Sequence, residues 1–179
     1  MKYLKAFENN DEIIHLTSHI RLRGSFNYNE DITKIKLIIN NIKNLNVKDD
    51  KGEFPIITAS KSKYIDVIRL LIDAGANVTV TDNNGNTPLM ICVSSLSSLK
   101  ILINAGANLN LKNNRGFTAL ILASYNHDYY SVKELVKVGA NIHIKNINNN
   151  DFYDLADSEI KNWIEETLPE FVESKKYNL

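Results

Sequence analysis

His15 and His19 stand four residues apart, a spacing that puts two imidazoles on one face of a helix, where they could begin a zinc site. Zinc needs further ligands converging on the same point, and the sequence holds no second cluster of His or Cys. Leu16 follows His15 where the metalloprotease helix motif requires Glu. No metal is expected. Cys92 is the single cysteine, which excludes an intrachain disulfide and suits a reducing compartment. The acidic pairs Asp49-Asp50 and Glu165-Glu166 are adjacent in the chain, which does not place two carboxylates across a substrate. No Gly-x-Gly-x-x-Gly run, phosphate loop or serine elbow occurs. The expectation is no catalytic residue and no cofactor.

The elements that must carry these residues are set by a repeat. Gly-Ala-Asn occurs at Gly75-Ala76-Asn77, Gly106-Ala107-Asn108 and Gly139-Ala140-Asn141, at intervals of 31 and 33 residues. A unit of that size cannot bury its own apolar face and must stack on its neighbours. Turn glycines keep the same rhythm: Gly52, Gly85 and Gly116 are 33 and 31 apart. Each opens a helix start, clearest at Thr87-Pro88-Leu89, where Thr can cap the free N–H groups and Pro suits the first helical position. Thr118-Ala119-Leu120 repeats it, and Phe54-Pro55-Ile56 is a weaker copy. A second amphipathic helix follows in each unit, with stripes Ile65, Ile68, Leu71, Ile72; then Leu96, Leu99, Leu102, Ile103; then Tyr129, Val132, Leu135, Val136. The Gly of each Gly-Ala-Asn is placed to end that helix in the left-handed conformation. The runs Val78-Thr79-Val80, Leu109-Asn110-Leu111 and Ile142-His143-Ile144 alternate as one arm of a β-hairpin finger would.

With Asn84-Gly85-Asn86-Thr87-Pro88-Leu89 followed by Asn104-Ala105-Gly106-Ala107-Asn108-Leu109-Asn110, the sequence resembles the ankyrin repeat family. The resemblance implies a mostly α solenoid of paired antiparallel helices with short β-hairpin fingers, and a concave binding face made of fingertips and first helices. It covers 49–145 strongly. The expected organisation is 1–48, N-terminal helices and a degenerate capping repeat; 49–81, 82–112 and 113–145, three repeats, the middle one two residues short; 146–166, a truncated capping repeat; and 167–179, a tail. Stepping the stripe back by 33 residues lands on Ile32, Ile35, Ile38 and Ile39, and Asn77 maps to Asn44, with the terminating Gly replaced by Ile42. The first helix before it is expected over Asp11–Arg23, with a loop at Gly24–Glu30. At the other end Phe152–Ala156 stands in the first-helix slot, Glu159–Glu166 is the second helix with Trp163 in the cap core, and Leu168, Phe171 and Val172 could dock a short tail helix.

Departures from the family pattern carry expectations of their own. The His that the family places after Pro-Leu is Ile57, Met90, Ile121 and Asp154 here, so its ties between neighbouring loops should be missing and the apolar residues buried instead. Cys92 falls on a first helix where the family has a small buried Ala, which implies a packed thiol. The missing two residues around Val93–Ser98 predict a tighter helix–helix turn. Mapping the family's binding face gives Asp50, Lys51 and Glu53, then Asn83, Asn84 and Asn86, then Asn114, Arg115 and Phe117 at the fingertips. On the first helices it gives Lys61 and Ser62, Ser94 and Ser95, then Tyr125 and Asn126. Aromatic residues and Arg dominate interface energies, which singles out Arg115, Phe117 and Tyr125; the competing expectation folds Phe117 back onto the neighbouring finger and Tyr125 onto its own helix.

Bulk properties agree with a binding module. The 179 residues are 44% hydrophobic and 23% charged with zero net charge, so there is no electrostatic case for nucleic acid or a membrane surface. Residues 151–179 hold 8 acidic residues against 3 Lys, which leaves +5 on 1–150 and reads as an acidic end cap. No apolar stretch is long enough to span a bilayer and the N-terminus lacks a signal-peptide core, so an intracellular protein is expected, cytoplasmic with the nucleus as the alternative. Abundant Asn, Ile and Lys point to an AT-rich genome. The expected function is non-enzymatic: a monomer binding a protein partner in the concave groove. The alternative is an adaptor that also recruits a second protein through its terminal helices.

Overall fold

The computed structural model describes residues 2–21 and 28–177. Among these, ten helices and no strand form. They fall into two compact units, Met1–Asn108 and Leu109–Leu179. The first holds α1 (Lys2–Arg21), α2 (Tyr28–Asn41), α3 (Pro55–Ser62), α4 (Ile65–Asp73), α5 (Pro88–Ile91) and α6 (Leu96–Asn104). The second holds α7 (Ala119–Tyr125), α8 (Tyr129–Lys137), α9 (Ser158–Thr167) and α10 (Pro169–Tyr177). Within the first unit α3 packs on α1, α4 and α5, and α6 on α4 and α5; within the second α8 packs on α7 and α9, and α9 on α10.

Helix ends follow their residue chemistry. Thr87 and Thr118 accept the N–H groups of Met90 and Ile121, both at 3.3 Å, and Asp128 and Asp157 do the same for Ser131 and Ile160. Phe54 has no side-chain oxygen to offer, and α3 starts on Pro55 alone. At the far end of α4 the Gly75 N–H donates to Ile72 O and the Ala76 N–H to Leu71 O, both at 2.9 Å, with Gly75 at φ 87°. The same pair of bonds recurs at Gly106 and Gly139, so each Gly-Ala-Asn is a helix terminator whose Ala is buried. The stripes are buried at their centres: Ile68 and Leu71, Leu99 and Leu102, Val132 and Leu135.

The hairpin fingers are corrected. The alternating runs form turns at Val78-Thr79, Leu109-Asn110 and Ile142-His143, not strands. Each fingertip is closed by two backbone bonds, as from the Asp49 N–H to Glu53 O at 2.9 Å and from the Gly52 N–H to Asp49 O at 3.0 Å. A side chain supplies the rest: Oδ1 of Asp49 takes the N–H groups of Lys51 and Glu53, and Asp82, Asn113 and Asn146 each take those two and four residues on. These side-chain bonds occupy donors that a β-ladder would need. Asn149, at φ 64°, fills the place of the turn glycine in the fourth finger.

Four further expectations change. The two missing residues of the middle unit are taken from α5, which shrinks to one turn, while Cys92–Ser95 form a full connection; the turn is not tighter. Phe152–Ala156 is a turn instead of a helix, because Asp151 Oδ1 takes the N–H groups of Tyr153 and Asp154 while Asp154 Oδ2 takes that of Asp151. The first helix begins well before Asp11; Leu22, Arg23 and the loop residues up to Asn27 lie outside the described residues, and Tyr28–Glu30 already belong to α2. The loop ties are present in another form. Ile57, Met90 and Ile121 are buried as expected, but Asn46 Oδ1 accepts the Asn77 N–H at 2.7 Å and its amide donates to Gly75 O at 3.3 Å, and Asn110 Oδ1 accepts the Asn141 N–H at 2.8 Å.

Candidate partner-binding surface

In the first unit the fingertip residues divide by what already holds them. Asp50, Lys51, Asn83 and Asn84 are exposed. Glu53 is spent on the fold: its carboxylate accepts from Arg21 at 3.1 Å, Lys61 at 2.5 Å and Thr58 at 3.2 Å. Burial would raise the Glu53 pKa, but Lys61 and Arg21 outweigh it and hold the carboxyl below its ordinary value. Asp49 is held low in the same way, burial being outweighed by the Glu53 N–H, Thr17 and Arg21. Asn86 is half-buried and donates to Asp82 at 3.3 Å. Lys61 also approaches Asp82 at 3.8 Å, so it ties two fingers together. Ser95 bonds Ser98 at 3.0 Å at the start of α6, while Ser94 is exposed and Ser62 half-buried.

In the second unit three residues do come together. The Arg115 guanidinium carbon lies 4.8 Å from the centre of the Phe117 ring, and Tyr125 meets the same ring edge-on at 6.0 Å. Phe117 is buried, at 3% exposure, so it folds back and supports the pair from below; Tyr125 stays 52% exposed and Arg115 is exposed. Asn114 and Asn126 are exposed at the rim. Beside them stands a residue that sequence reasoning missed. Ile147 is 71% exposed, and its N–H donates to the Arg115 carbonyl at 3.3 Å. It occupies the slot that Asp50, Asn83 and Asn114 fill in the other fingers, and an aliphatic residue inside an Asn-rich turn was the available signal.

The remaining candidates have structural explanations. Cys92 sits just past α5, not on it, and is buried; burial pushes its thiol up to about 11, and its Sγ lies 3.9 Å from Ser60 O. The His15 and His19 rings meet edge-on at 4.4 Å, and His19 Nδ1 lies 3.0 Å from the His15 carbonyl. Among the described residues no group of three His, Cys, Asp or Glu could hold a metal, and no helix is long and apolar enough to cross a membrane. Trp163 is half-buried against Tyr129, with Lys133 over its ring, so it covers the edge of the cap and not its centre. The tail helix α10 docks, burying Phe171 and Val172, and Lys175 bonds Asp151 at 2.8 and 2.7 Å and Asp154 at 2.5 Å. An open cleft of about 510 Å³ lies between Ile142-His143 and the residues joining α9 to α10. Its polar lining is His143, Thr167, Glu170 and Ser174, and Ser174 donates to the Phe171 carbonyl at 2.7 Å.

The repeats of this chain are similar to those of known proteins. The family model of ankyrin repeats in three copies matches residues 25–113 and 84–146, more than half of the chain. A stretch of 58 residues is 39% identical to the target of rapamycin complex 2 subunit AVO2 of Saccharomyces cerevisiae. That stretch is 31% of this chain and 14% of the yeast protein.

Proposed function

The chain belongs to the ankyrin repeat family, whose repeats are general protein–protein interaction modules, and we propose that it is a non-enzymatic binder that seats a protein partner on its fingers and first helices. The carrying observation is the pair Arg115 and Tyr125, held in place by a buried ring while their polar ends face solvent. A prearranged pair loses little side-chain entropy on binding. The yeast relative is named as a subunit of a complex, which agrees with a role in assembly. The adaptor reading, with a second partner on the terminal helices, draws less support at the C-terminal end, because α10 spends Phe171 and Val172 on its own unit.

The test is quantitative affinity capture from the native cell with the wild-type chain and the Arg115→Ala/Tyr125→Ala double variant. Both side chains are on the surface, so the fold should survive. A partner recovered with wild type and lost by about tenfold with the variant supports the reading; equal recovery removes these residues from the binding face. Deleting 169–179 separates the adaptor, which would lose one partner and keep another.

A further inference from the structure

The fingers of the second unit carry positive charge with no opposite charge beside it in the chain. No Asp or Glu occurs from Leu109 to His127 or from Val138 to Asn150, whereas Lys112, Arg115 and Lys145 lie in those stretches. The fold gathers them. Lys112 Nζ donates to the Lys145 carbonyl at 3.0 Å, and Arg115 and Ile147 are joined through their backbones at 3.3 Å. The acid nearest Lys145 along the chain, Asp151, is buried and already taken by Lys175, and the one nearest Arg115, Asp128, caps α8. Among the described residues neither Arg115 nor Lys145 has a carboxylate partner, and the Tyr125 hydroxyl has no hydrogen bond. Lys112, Arg115 and Lys145 are exposed, with Ile147 beside Arg115.

We propose that this surface takes an acidic peptide segment with an aliphatic or aromatic side chain among its carboxylates. The proposal rests on the protein-binding reading above and names its partner's chemistry. The Arg115 guanidinium lies over the Phe117 ring, 4.8 Å from its centre, and a guanidinium so held can still bind two carboxylate oxygens at once. Lys145 answers a second carboxylate, and Ile147 gives an apolar side chain a dry contact that a run of charge alone would leave unused. A nucleic acid would meet the charge but not Ile147.

The experiment pans a random peptide library displayed on phage against the full chain. Selected peptides and a length-matched oligothymidine are then titrated by fluorescence anisotropy. The expected result is enrichment of Asp and Glu around an apolar residue. Affinity should fall by about tenfold or more in the Arg115→Glu/Lys145→Glu variant, fall again in Ile147→Asp, and weaken with added salt. The milder Arg115→Gln should show the same direction with the fold unchanged by circular dichroism. Enriched peptides without acidic residues, equal affinity for the charge-reversed variant, tighter binding of the oligothymidine, or no enrichment at all each overturns the proposal. Non-acidic peptides whose binding still needs Tyr125 would overturn the acidic partner and leave the protein-binding reading standing.

Discussion

Arg115 stacks its guanidinium over the ring of Phe117, 4.8 Å from its centre, and Phe117 is the member of the pair that is buried. The two residues therefore divide a job. Arg115 presents charge, and Phe117 fixes where that charge stands while also bracing Tyr125 edge-on at 6.0 Å. An exposed Arg on a finger would otherwise sample many rotamers and give up that freedom on binding.

Phe117→Leu separates the two roles. Leu keeps most of the apolar volume, so the unit should lose only about 1–2 kcal/mol in urea unfolding. The stacking contact is worth roughly 0.5–1 kcal/mol at an exposed site, so partner affinity should fall by a few-fold. Phe117→Ala should instead cost about 3–5 kcal/mol of stability. Calorimetric binding that is unchanged in Phe117→Leu would show that the ring does not position Arg115.

Gly116 and Gly139 both have positive φ, at 74° and 87°, yet they predict different losses. A Cβ on Gly139 meets open space, so Gly139→Ala pays only for the left-handed backbone, about 1–2 kcal/mol. A Cβ on Gly116 would lie 2.9 Å from the Ile147 backbone nitrogen and 3.0 Å from Asn146 Cα, in backbone that cannot turn aside. Gly116→Ala should therefore destabilise by more than Gly139→Ala and disturb the fourth finger, where Ile147 stands. Equal urea midpoints for the two variants would show that the fingers are not held this close.

These contrasts show what the sequence could and could not reveal. The period, the helix terminators at Gly75, Gly106 and Gly139, and the caps at Thr87 and Thr118 are local chemistry, and all were legible. The absent strands were not, because alternation in Val78-Thr79-Val80 says nothing about whether Asp82 will claim the finger's N–H groups with its side chain. The shortened unit was readable as two missing residues, but packing decided that α5 and not the connection would lose them. At the candidate surface, residue type singled out Arg115, Phe117 and Tyr125, but only burial shows that Phe117 lies under the other two, and Ile147 was hidden by its polar neighbours. That Arg21, 32 positions earlier, would reach the fingertip carboxylate of Glu53 was not readable in the spacing.

Cys92 supplies a readout of local opening. Its thiol is buried and pushed up to about 11, so it is protonated and shielded at neutral pH. Ellman's reagent should react with the native chain far more slowly than with the chain in urea, and the rate should follow opening of the first unit. Rapid native labelling would mean that the short helix α5 does not keep its C-terminal end closed.

Lys175 locks α10 to the turn that precedes α9, and acid should release it. Burial would raise the Asp154 carboxyl, but the Lys175 ammonium and the Asp151 N–H outweigh it and hold the pKa below the ordinary value. A carboxyl held low in the folded state takes its proton more readily when unfolded. The stability it contributes is thus fully present above the ordinary carboxylate value of about 4 and is lost as pH falls through the folded value. Lys175→Met removes the cation and leaves Asp151, 2% exposed, with the N–H groups of Tyr153 and Asp154 but without the ammonium. Breaking a buried pair costs about 3–5 kcal/mol; with Lys175 partly exposed, about 2 kcal/mol is expected at pH 7. Without the ammonium the Asp154 carboxyl is no longer held as low, so its protonation should cost the variant less than it costs the wild type. The gap between their urea midpoints should therefore narrow as pH is lowered from 7 toward the carboxylate range. A gap that stays constant with pH would show that Lys175 holds α10 through the rings of Tyr153 and Phe171, over which its ammonium lies at 5.3 and 5.8 Å, and not through the carboxylates.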